Sequence, residues 1–416
     1  MFSIMEDSME EMFNHSSYDN FNGSTLASDN PSSSSPSSSN ALLVSIGQKL
    51  YSFRDQYSPI HGYLSLCICF FGTVTNILNI IVLTRKELLS ATNNILTGLA
   101  VADMLVMMDY IPFAIHNNIQ VHQGDGEMFT YGWTVFTLFH AHFTLVVHSI
   151  STWLTVLLAV WRYLSVRFPT QSRGWCTMSN ARWLIVATYI CIPIFFIPTY
   201  LTFVVKDNGA GGYKVDWSDI SINHNETLKR INFWVFSVGT KLVPCILLTY
   251  LSWALIHAVL EADKRKRRLK ENCYTLASSS ATKSEYSEDS LGSLHQPGQV
   301  YLEVNSFRKV RHHSTSINGS TPGAPVNLTP ASGTTQSDRT TRMLLGILLL
   351  FLATEFPTGF IALLTGILGD DFFHNVYYPL GDILDTLALI NSAVNFVLYC
   401  TMSEQFRYTF AKLFFL

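Results

Sequence analysis

Five ionisable side chains interrupt otherwise apolar stretches of this sequence, where charge is expensive. Asp103, Arg162 and Glu355 each lie in a separate hydrophobic run, and Asp382 and Asp385 share another. An ionised group in such a setting costs several kcal/mol unless it is paired or hydrated. Because Asp382 and Asp385 are three residues apart, they occupy one face of a helix. Each of these residues is a functional candidate, although a structural hydrogen bond would explain any one of them equally well.

Three histidines raise the question of a metal centre. His140, His142 and His148 are separated by two and six residues, a spacing that does not place all three on one helical face. No nearby Cys or carboxylate completes a ligand set. The sequence also contains no G-x-S-x-G and no H-E-x-x-H motif, the signatures of two common hydrolase classes. We therefore predict neither a metal site nor an enzyme.

The elements that must position these residues are long apolar segments. Of 416 residues, 48 % are hydrophobic and only 14 % are charged, whereas soluble domains carry about 25 % charged residues. A bilayer core takes roughly 20 helical residues to cross. Seven stretches are long enough, at about 62–84, 92–113, 133–166, 181–205, 231–259, 342–368 and 375–400. The predicted fold class is an all-α membrane protein, a seven-transmembrane helix bundle, with the acid-containing last span as its weakest member.

Polar segments divide the chain around these spans. The predicted regions are a disordered extracellular tail (1–57), transmembrane helices 1–5 (58–260), a largely disordered cytoplasmic third loop (261–339), transmembrane helices 6–7 (340–400) and a short amphipathic membrane-surface helix (401–416). Phe406, Phe410 and Leu413 recur at helical spacing and give that last helix one apolar face. The basic run 264–268 suits an anionic-lipid anchor and equally a docking face for a cytoplasmic partner.

The distribution of basic residues predicts the orientation. If the amino terminus is outside, the inner segments hold 20 Lys and Arg residues and the outer segments hold six, as the positive-inside rule requires. The glycosylation sequons at Asn14, Asn22 and Asn225 then face outward. We expect a multi-pass plasma-membrane glycoprotein with an extracellular amino terminus. The net charge of −3 provides no electrostatic reason to bind nucleic acid.

Six landmarks follow one another along the spans. They are Asn76, the L-x-x-x-D run ending at Asp103, Arg162-Tyr163, Pro244, Glu355-Phe-Pro357 and Asn395-Phe-Val-Leu-Tyr399. Over about residues 58–416, without the third inner loop, the chain resembles the rhodopsin-like (class A) G-protein-coupled receptors. Within them it is most similar to invertebrate receptors for FMRFamide-type neuropeptides, and among these to the myosuppressin receptors, in stretches such as 138–144 and 393–403.

The resemblance implies a receptor that binds an extracellular amidated peptide and acts on heterotrimeric G proteins. Peptides of this type end in Arg-Phe-amide, and a buried Arg needs a carboxylate partner. We therefore expect at least one of Asp382, Asp385 and Glu355 to bind the ligand Arg. The side chains expected to contact the ligand Phe and amide are His140, Thr144, His148, Phe233 and Phe236.

The resemblance also assigns two deeper sets of residues. The positions that hold a sodium ion in many relatives are Asp103, Ser151, Asn391, Ser392 and Asn395, and the alternative is a water-filled polar network. The residues expected to act in activation and G-protein coupling are Arg162, Tyr163 and Tyr399. Asp338 is a hypothetical partner for Arg162 in the resting state. No other cofactor is expected, and membrane lipids are expected partners.

Several positions depart from the pattern of the family. Trp161 replaces the acid that usually precedes the Arg, Glu355 replaces a Trp, and Phe396 replaces a Pro. Thr137 stands where a Cys is usual, and no Cys occurs between residues 192 and 244. The usual outer-loop disulfide therefore cannot form. The intramembrane acids leave a transporter or proton-coupled channel as the alternative, although we find no related halves of the kind transporters contain.

Overall fold

The computed structural model describes residues 38–120, 130–208, 211–223, 227–285 and 336–415. Within these ranges a few side chains lie outside the described part, among them those of Phe233, Phe236 and Asp338. The chain divides into two units, Met1–Glu261 with Gln336–Leu416, and Ala262–Thr335. All of the contacts considered below lie in the first unit.

Long helices form most of the first unit. The long helices are α1 (Ser38–Leu83), α2 (Ala91–Phe113), α3 (Tyr131–Arg167), α4 (Met178–Phe195), α5 (Val243–Glu285) and α6 (Gln336–Leu368). They are followed by α7 (Gly381–Ala393), α8 (Asn395–Met402) and α9 (Glu404–Phe414). Short α-helices cover Pro169–Trp175, Ile197–Thr202, Asp219–Asn223, Thr227–Trp234 and Asp370–Phe372. Lys86–Leu88 and Tyr378–Leu380 are 3₁₀ turns, and Ala114–Gln120, Val235–Leu242 and Phe373–Tyr377 are π-helical.

The described helices provide six spans that are long and apolar enough to cross a membrane, and a seventh that is broken. The two parts of the broken span, Phe373–Ala393 and Asn395–Thr401, are bent by 41° relative to each other. Counted as one span they bring the total to seven, which confirms the predicted all-α seven-helix bundle. The outer face of this bundle is apolar. On α4, for example, Trp183, Ile190 and Ile194 are all exposed.

Residues 1–57 were predicted to form a disordered extracellular tail. The predicted disorder is wrong for residues 38–57, because α1 begins at Ser38. Two contacts hold this helical extension against the start of the seventh span. The Tyr51 hydroxyl donates a hydrogen bond of 3.1 Å to the His374 carbonyl oxygen, and the Arg54 guanidinium lies 4.2 Å from the centre of the Tyr378 ring. These long-range contacts stabilise a helix that the polar composition alone does not predict.

The predicted third loop, residues 261–339, is wrong at both of its ends. α5 continues to Glu285, and α6 begins at Gln336. Basic and acidic residues such as those at 261–271 are good helix formers, so the helix does not end where the apolar span does. Residues 1–37 and 286–335, the remainder of the two predicted disordered segments, lie outside the described residues.

A β-hairpin follows the outer end of α4. Strands β1 (Phe203–Asp207) and β2 (Tyr213–Trp217) pair antiparallel, with Phe203 opposite Trp217. Both of these aromatic side chains are buried, and their ring centres are 4.8 Å apart. The hydroxyl of Thr134 on α3 donates a hydrogen bond of 3.1 Å to the carbonyl oxygen of Tyr213. The cysteines whose side chains are described are all free, so hydrogen bonds and aromatic packing hold this hairpin to α3.

The amphipathic helix predicted after the seventh span is α9, and it starts at a hydrogen-bonded cap. The Ser403 hydroxyl accepts a hydrogen bond from the Phe406 amide, which satisfies an otherwise unpaired helix-terminal donor. Phe406 is buried, and the rings of Phe406 and Phe410 pack against Phe396 with centres 5.9 and 5.6 Å apart. The apolar face that was assigned to the membrane surface therefore packs partly on the bundle.

An exposed ion pair also joins α9 to the first inner turn. The Lys412 ammonium lies 3.1 Å from the Glu87 carboxylate. A backbone hydrogen bond and then Lys412 hold the pKa of Glu87 below its usual range. Exposed pairs of this kind contribute little to stability, so the aromatic packing, rather than the pair, fixes the position of α9.

Candidate functional site

A cleft opens among the helices of the first unit and encloses about 480 Å³, part of it open to solvent. Its apolar lining residues are Val106, Leu145, Ala388 and Leu389, and its polar lining residues are Tyr110, Thr144, His148, Ser149, Thr240, Lys241 and Asp385. The cleft therefore combines apolar walls with one anionic and one cationic side chain.

A buried charge cluster lies at the cleft and joins three segments. Lys241 donates a hydrogen bond of 2.9 Å from Nζ to Oε2 of Glu355 on α6. His148 on α3 places Nε2 3.2 Å from Oε1 of Glu355 and 3.4 Å from Nζ of Lys241. All three side chains are buried. Glu355 was predicted to bind a ligand Arg, and in this structure its carboxylate instead has a cationic partner within the protein.

The local sequence explains how Lys241 comes to be inside the bundle. It lies in the π-helical segment Val235–Leu242, which precedes α5. A π turn inserts one residue into the helical repeat and rotates the side chains that follow it, and such turns occur frequently at functional sites. Glu355 lies two residues before Pro357 in α6.

Asp382 and Asp385 both lie on α7, and only Asp385 is among the lining residues of the cleft. Asp385 lines the cleft and is buried. Asp382 lies one turn earlier, and its buried Oδ2 accepts no hydrogen bond from the described residues. The buried His61 of α1 lies beside both, with Nδ1 3.0 Å from Oγ1 of Thr386. Thr386 also contacts the Tyr57 hydroxyl at 2.8 Å.

A further acid, Asp109 of α2, contacts two of the residues that were predicted to bind the ligand. Its Oδ2 lies 2.6 Å from Nδ1 of His140 and accepts a hydrogen bond of 2.7 Å from the Thr144 hydroxyl. The His140 ring stacks on Phe113, with ring centres 4.1 Å apart. His140 is fully buried by this packing, whereas Thr144 reaches the cleft. His140 therefore does not line the cleft, whereas Thr144 and His148 do, as does Asp385.

Some predicted site residues lie outside the described part. These are the side chains of Phe233, Phe236 and Asp338, and the sequons at Asn14, Asn22 and Asn225. Their assignment to ligand contact, to the resting-state pairing of Arg162 and to glycosylation stays a prediction.

The deeper polar set gathers around Asp103. Its two carboxylate oxygens accept hydrogen bonds of 2.7 Å from the Ser151 hydroxyl and 2.8 Å from the Asn395 amide. Ser392 and Asn391 are buried on α7. Asn391 takes no part in these hydrogen bonds. Carboxylate and hydroxyl oxygens suit a hard cation, so the set is compatible with sodium.

The inner end of the bundle holds Arg162 and Tyr399. Nε of Arg162 and the hydroxyl of Tyr399 are buried and make no hydrogen bond to the described residues. Trp161, at the position where an acid is usual, is buried in the apolar cluster around Leu158 and Tyr399. Tyr163 is half-buried. Trp161 therefore contributes packing and no counter-charge for Arg162.

Sequence reasoning missed Lys241, Asp109 and His61 as site residues. The rule that singled out Asp103 and Glu355 applies equally to the first two, because both are ionisable and lie within apolar runs. His61 precedes the predicted first span by one residue and carried no such signal. As for metals, the described residues contain no group of three or more His, Cys, Asp or Glu side chains placed to hold an ion.

Comparison with known proteins places these features in a family. The family model described as serpentine type 7TM GPCR chemoreceptor Srw matches residues 63–285 and 307–416. The G-protein coupled receptor dmsr-1 of Caenorhabditis elegans is 29 % identical over 394 residues, covering 90 % of this chain and 71 % of the relative. The sex peptide receptor of Drosophila melanogaster is 25 % identical, covering 86 % and 72 % of the two chains. The human thyrotropin-releasing hormone receptor is 26 % identical, covering 86 % and 78 %.

Proposed function

The chain belongs to the Srw family of serpentine seven-transmembrane G-protein-coupled receptors, and we propose that it is a plasma-membrane receptor for an amidated, cationic neuropeptide of the RF-amide or myosuppressin type. Membership of a receptor family excludes the enzyme and transporter alternatives. The names of the relatives support a peptide ligand, since two of those reported above are receptors for a sex peptide and for thyrotropin-releasing hormone.

The observation that carries the proposal is the position of Asp385 in the cleft. A buried carboxylate in an apolar site is a strong partner for a guanidinium, because both groups are stronger hydrogen-bonding partners in a low-dielectric setting. Asp382 lies one turn earlier on the same helix and provides a second acid near Asp385.

The test combines a receptor variant with a ligand variant. Asp385→Asn should lower the potency of the peptide Phe-Met-Arg-Phe-amide by about 30-fold or more, the equivalent of about 2 kcal/mol, because the ligand Arg loses its charged partner. The same peptide with citrulline in place of Arg is neutral at that position. It should be weak at the wild-type receptor and should lose little more at the variant, so that the two changes are strongly non-additive.

The matched control is Asp371→Asn, which removes an acid that is exposed near the outer end of α6 and should leave potency unchanged. Surface expression is measured for each variant by flow cytometry. If Asp382→Asn, Asp385→Asn and Glu355→Gln each express normally and each leave the potency of the peptide unchanged, the proposed binding of the ligand Arg is wrong.

On the inner side, we propose that Arg162 and Tyr399 form the face that meets a heterotrimeric G protein. A ligand shifts a receptor toward its active arrangement only if it binds that arrangement more tightly. Both side chains carry buried polar atoms with no hydrogen-bond partner among the described residues. A rearrangement that exposes them to a partner helix would satisfy those atoms, as in helix-in-groove recognition. We also propose a sodium ion as the occupant of the set around Asp103.

A further inference from the structure

We propose that the buried charge cluster of Lys241, His148 and Glu355 holds α6 in the resting arrangement of the receptor, and that opening this contact starts signalling. The inference rests on the proposed function only in that the receptor acts on a G protein, and it does not depend on which ligand binds. It gives the cluster a regulatory role that is separate from the binding of the ligand Arg.

The first argument is the way in which α6 is attached to its neighbours. Glu355 is the only ionisable residue between Arg342 and Asp370, and it is buried. Its Oε2 accepts a hydrogen bond of 2.9 Å from Lys241, and its Oε1 lies 3.2 Å from Nε2 of His148 on α3. Atoms more than about 3.5 Å apart no longer form a hydrogen bond. A small displacement of α6 away from Lys241 therefore breaks the contact and leaves both charges without their partner.

The second argument is that both charged partners lie at irregular points of their helices. Glu355 precedes Pro357 by two residues in α6, and a proline inside a helix removes a backbone hydrogen bond and is a usual site of bending. Lys241 belongs to the π-helical segment Val235–Leu242, and a π turn changes the helical phase of the side chains that follow it. The ion pair therefore joins two segments at places where the backbone of each can bend or rotate.

The third argument is that the cluster is accessible from the cleft. Lys241 and His148 line the cleft, whereas Glu355 is not among the lining residues and contacts both of them. A ligand group that binds Lys241 or His148 competes with Glu355 for the same atoms, so ligand binding is linked to the release of α6. Because a ligand shifts a receptor toward the arrangement that it binds more tightly, such a ligand favours the arrangement in which the cluster is open.

The first experiment measures signalling without any ligand. Membranes with equal amounts of wild-type or variant receptor are supplied with a panel of purified G-protein heterotrimers, and the uptake of a labelled, non-hydrolysable GTP analogue is recorded. Glu355→Gln keeps the shape of the side chain and removes its charge, so the ligand-free uptake should rise by about threefold or more. The matched control Lys206→Met breaks an exposed ion pair with the same 2.9 Å separation, between Lys206 and Asp219, and should leave the uptake unchanged.

The second experiment distinguishes a contact that holds α6 from one that only stabilises the fold. Combining Lys241→Met with Glu355→Met leaves neither charge buried without a partner, so the double variant should regain most of the stability that either single change removes. The double variant still lacks the contact, so its ligand-free uptake should stay above the wild-type level by about threefold or more. A purely structural role predicts instead that stability and uptake return to the wild-type level together.

The outcomes separate this inference from the proposed ligand. Wild-type uptake in Glu355→Gln and in the double variant, measured in whichever of them reaches the cell surface, contradicts the role of the cluster. Uptake that is raised in Glu355→Gln and normal in the double variant contradicts it too, because activity then follows stability. In either case the binding of the ligand Arg stands if Asp385→Asn still lowers the potency of Phe-Met-Arg-Phe-amide. Raised uptake in both variants, with no response of the wild-type receptor to that peptide, supports the role of the cluster and contradicts the proposed ligand class.

Discussion

At the scale of single residues, the unusual feature of this receptor is an ion pair inside the bundle. Lys241 and Glu355 are almost completely buried, with 5 % and 2 % of their surfaces exposed. Taking two charges out of water is costly, and their attraction returns that cost only when the geometry is good. The pair is therefore not by itself a source of stability, and the two charges depend on each other.

This dependence predicts the behaviour of a mutant cycle. Lys241→Met should destabilise the receptor by about 3–5 kcal/mol, because Glu355 is then a buried charge without its cation. Glu355→Met alone should be similarly harmful, whereas the double variant should recover most of the loss. The measurement is the thermal unfolding of detergent-solubilised receptor. A double variant no more stable than the worse single variant would show that the pair is not mutually dependent.

The sequence identified individual charged residues inside the spans better than it identified which of them pair with one another. The cost of charge in an apolar run is enough to single out Glu355 and Asp103, and it should have added Lys241 and Asp109. What it does not provide is which helical faces meet. The partners of Glu355 come from α3 and from the π turn before α5, and a π turn changes the helical phase on which any such assignment depends.

At the scale of elements, the β-hairpin takes the place of the covalent link usual in similar receptors. The Thr134 hydroxyl ties α3 to the Tyr213 carbonyl, and the rings of Tyr131 and Tyr213 meet edge to face, with centres 5.1 Å apart. Trp217 closes the hairpin by packing on Phe203. These contacts are weaker than a disulfide, so the hairpin should open locally more readily than the helices it covers.

Thr134→Val tests the contact between α3 and the hairpin most directly, because it keeps the shape of the side chain and removes the hydroxyl that donates to the Tyr213 carbonyl. We expect faster amide hydrogen exchange across residues 213–217, corresponding to a local loss of about 0.5–1.5 kcal/mol. Thr137→Val, one turn along the same helix, should leave that exchange unchanged. Mild treatment with dithiothreitol should also have no effect on it, since no Cys lies between residues 192 and 244. If reduction loosens the hairpin, the replacement of the disulfide by these contacts is wrong.

Element types were easier to predict than element ends. Long apolar runs predicted every span, because a membrane-crossing helix must satisfy its backbone internally whatever its side chains are. The basic run 264–268 was expected to continue the fifth helix, but the start of α1 at Ser38 and the further extension of α5 to Glu285 were missed because helices can continue far beyond the apolar segment. The early helical turns of α1 are fixed by contacts such as Tyr51 with His374, whose partners are distant in sequence.

At the scale of the whole molecule, one end of the bundle carries the cleft and the opposite end carries Arg162 and Tyr399, the residues that we propose to act in coupling. The amino-terminal part of α1 contacts the start of the seventh span through Tyr51, and Tyr57 contacts Thr386 beside Asp385. The cleft and the amino-terminal turns of α1 therefore lie at one end. Arg162 follows three turns after Ser151 on α3, at the end where α9 packs. The orientation in the membrane thus determines whether the cleft faces a messenger outside the cell.

The orientation itself is the last prediction. Basic residues are in excess in the segments that follow the first, third, fifth and seventh spans, which favours an outside amino terminus. Asn14, Asn22 and Asn225 should therefore carry glycan. Peptide-N-glycosidase should lower the apparent mass of the expressed receptor on a denaturing gel. Replacing all three Asn residues with Gln should abolish that change in mass.

The matched control replaces Asn318 and Asn327, which lie in two further glycosylation sequons that this topology places in the cytoplasm. This replacement should leave the change in apparent mass as it is in the wild-type receptor. An epitope tag at the amino terminus should be stained on intact cells without permeabilisation. Glycan on Asn318, or a tag that antibody reaches only after permeabilisation, would show that the cleft faces the cytoplasm. Asp385 would then have no access to an extracellular peptide, and a receptor with its binding site on the inner face contradicts the proposed function as a whole.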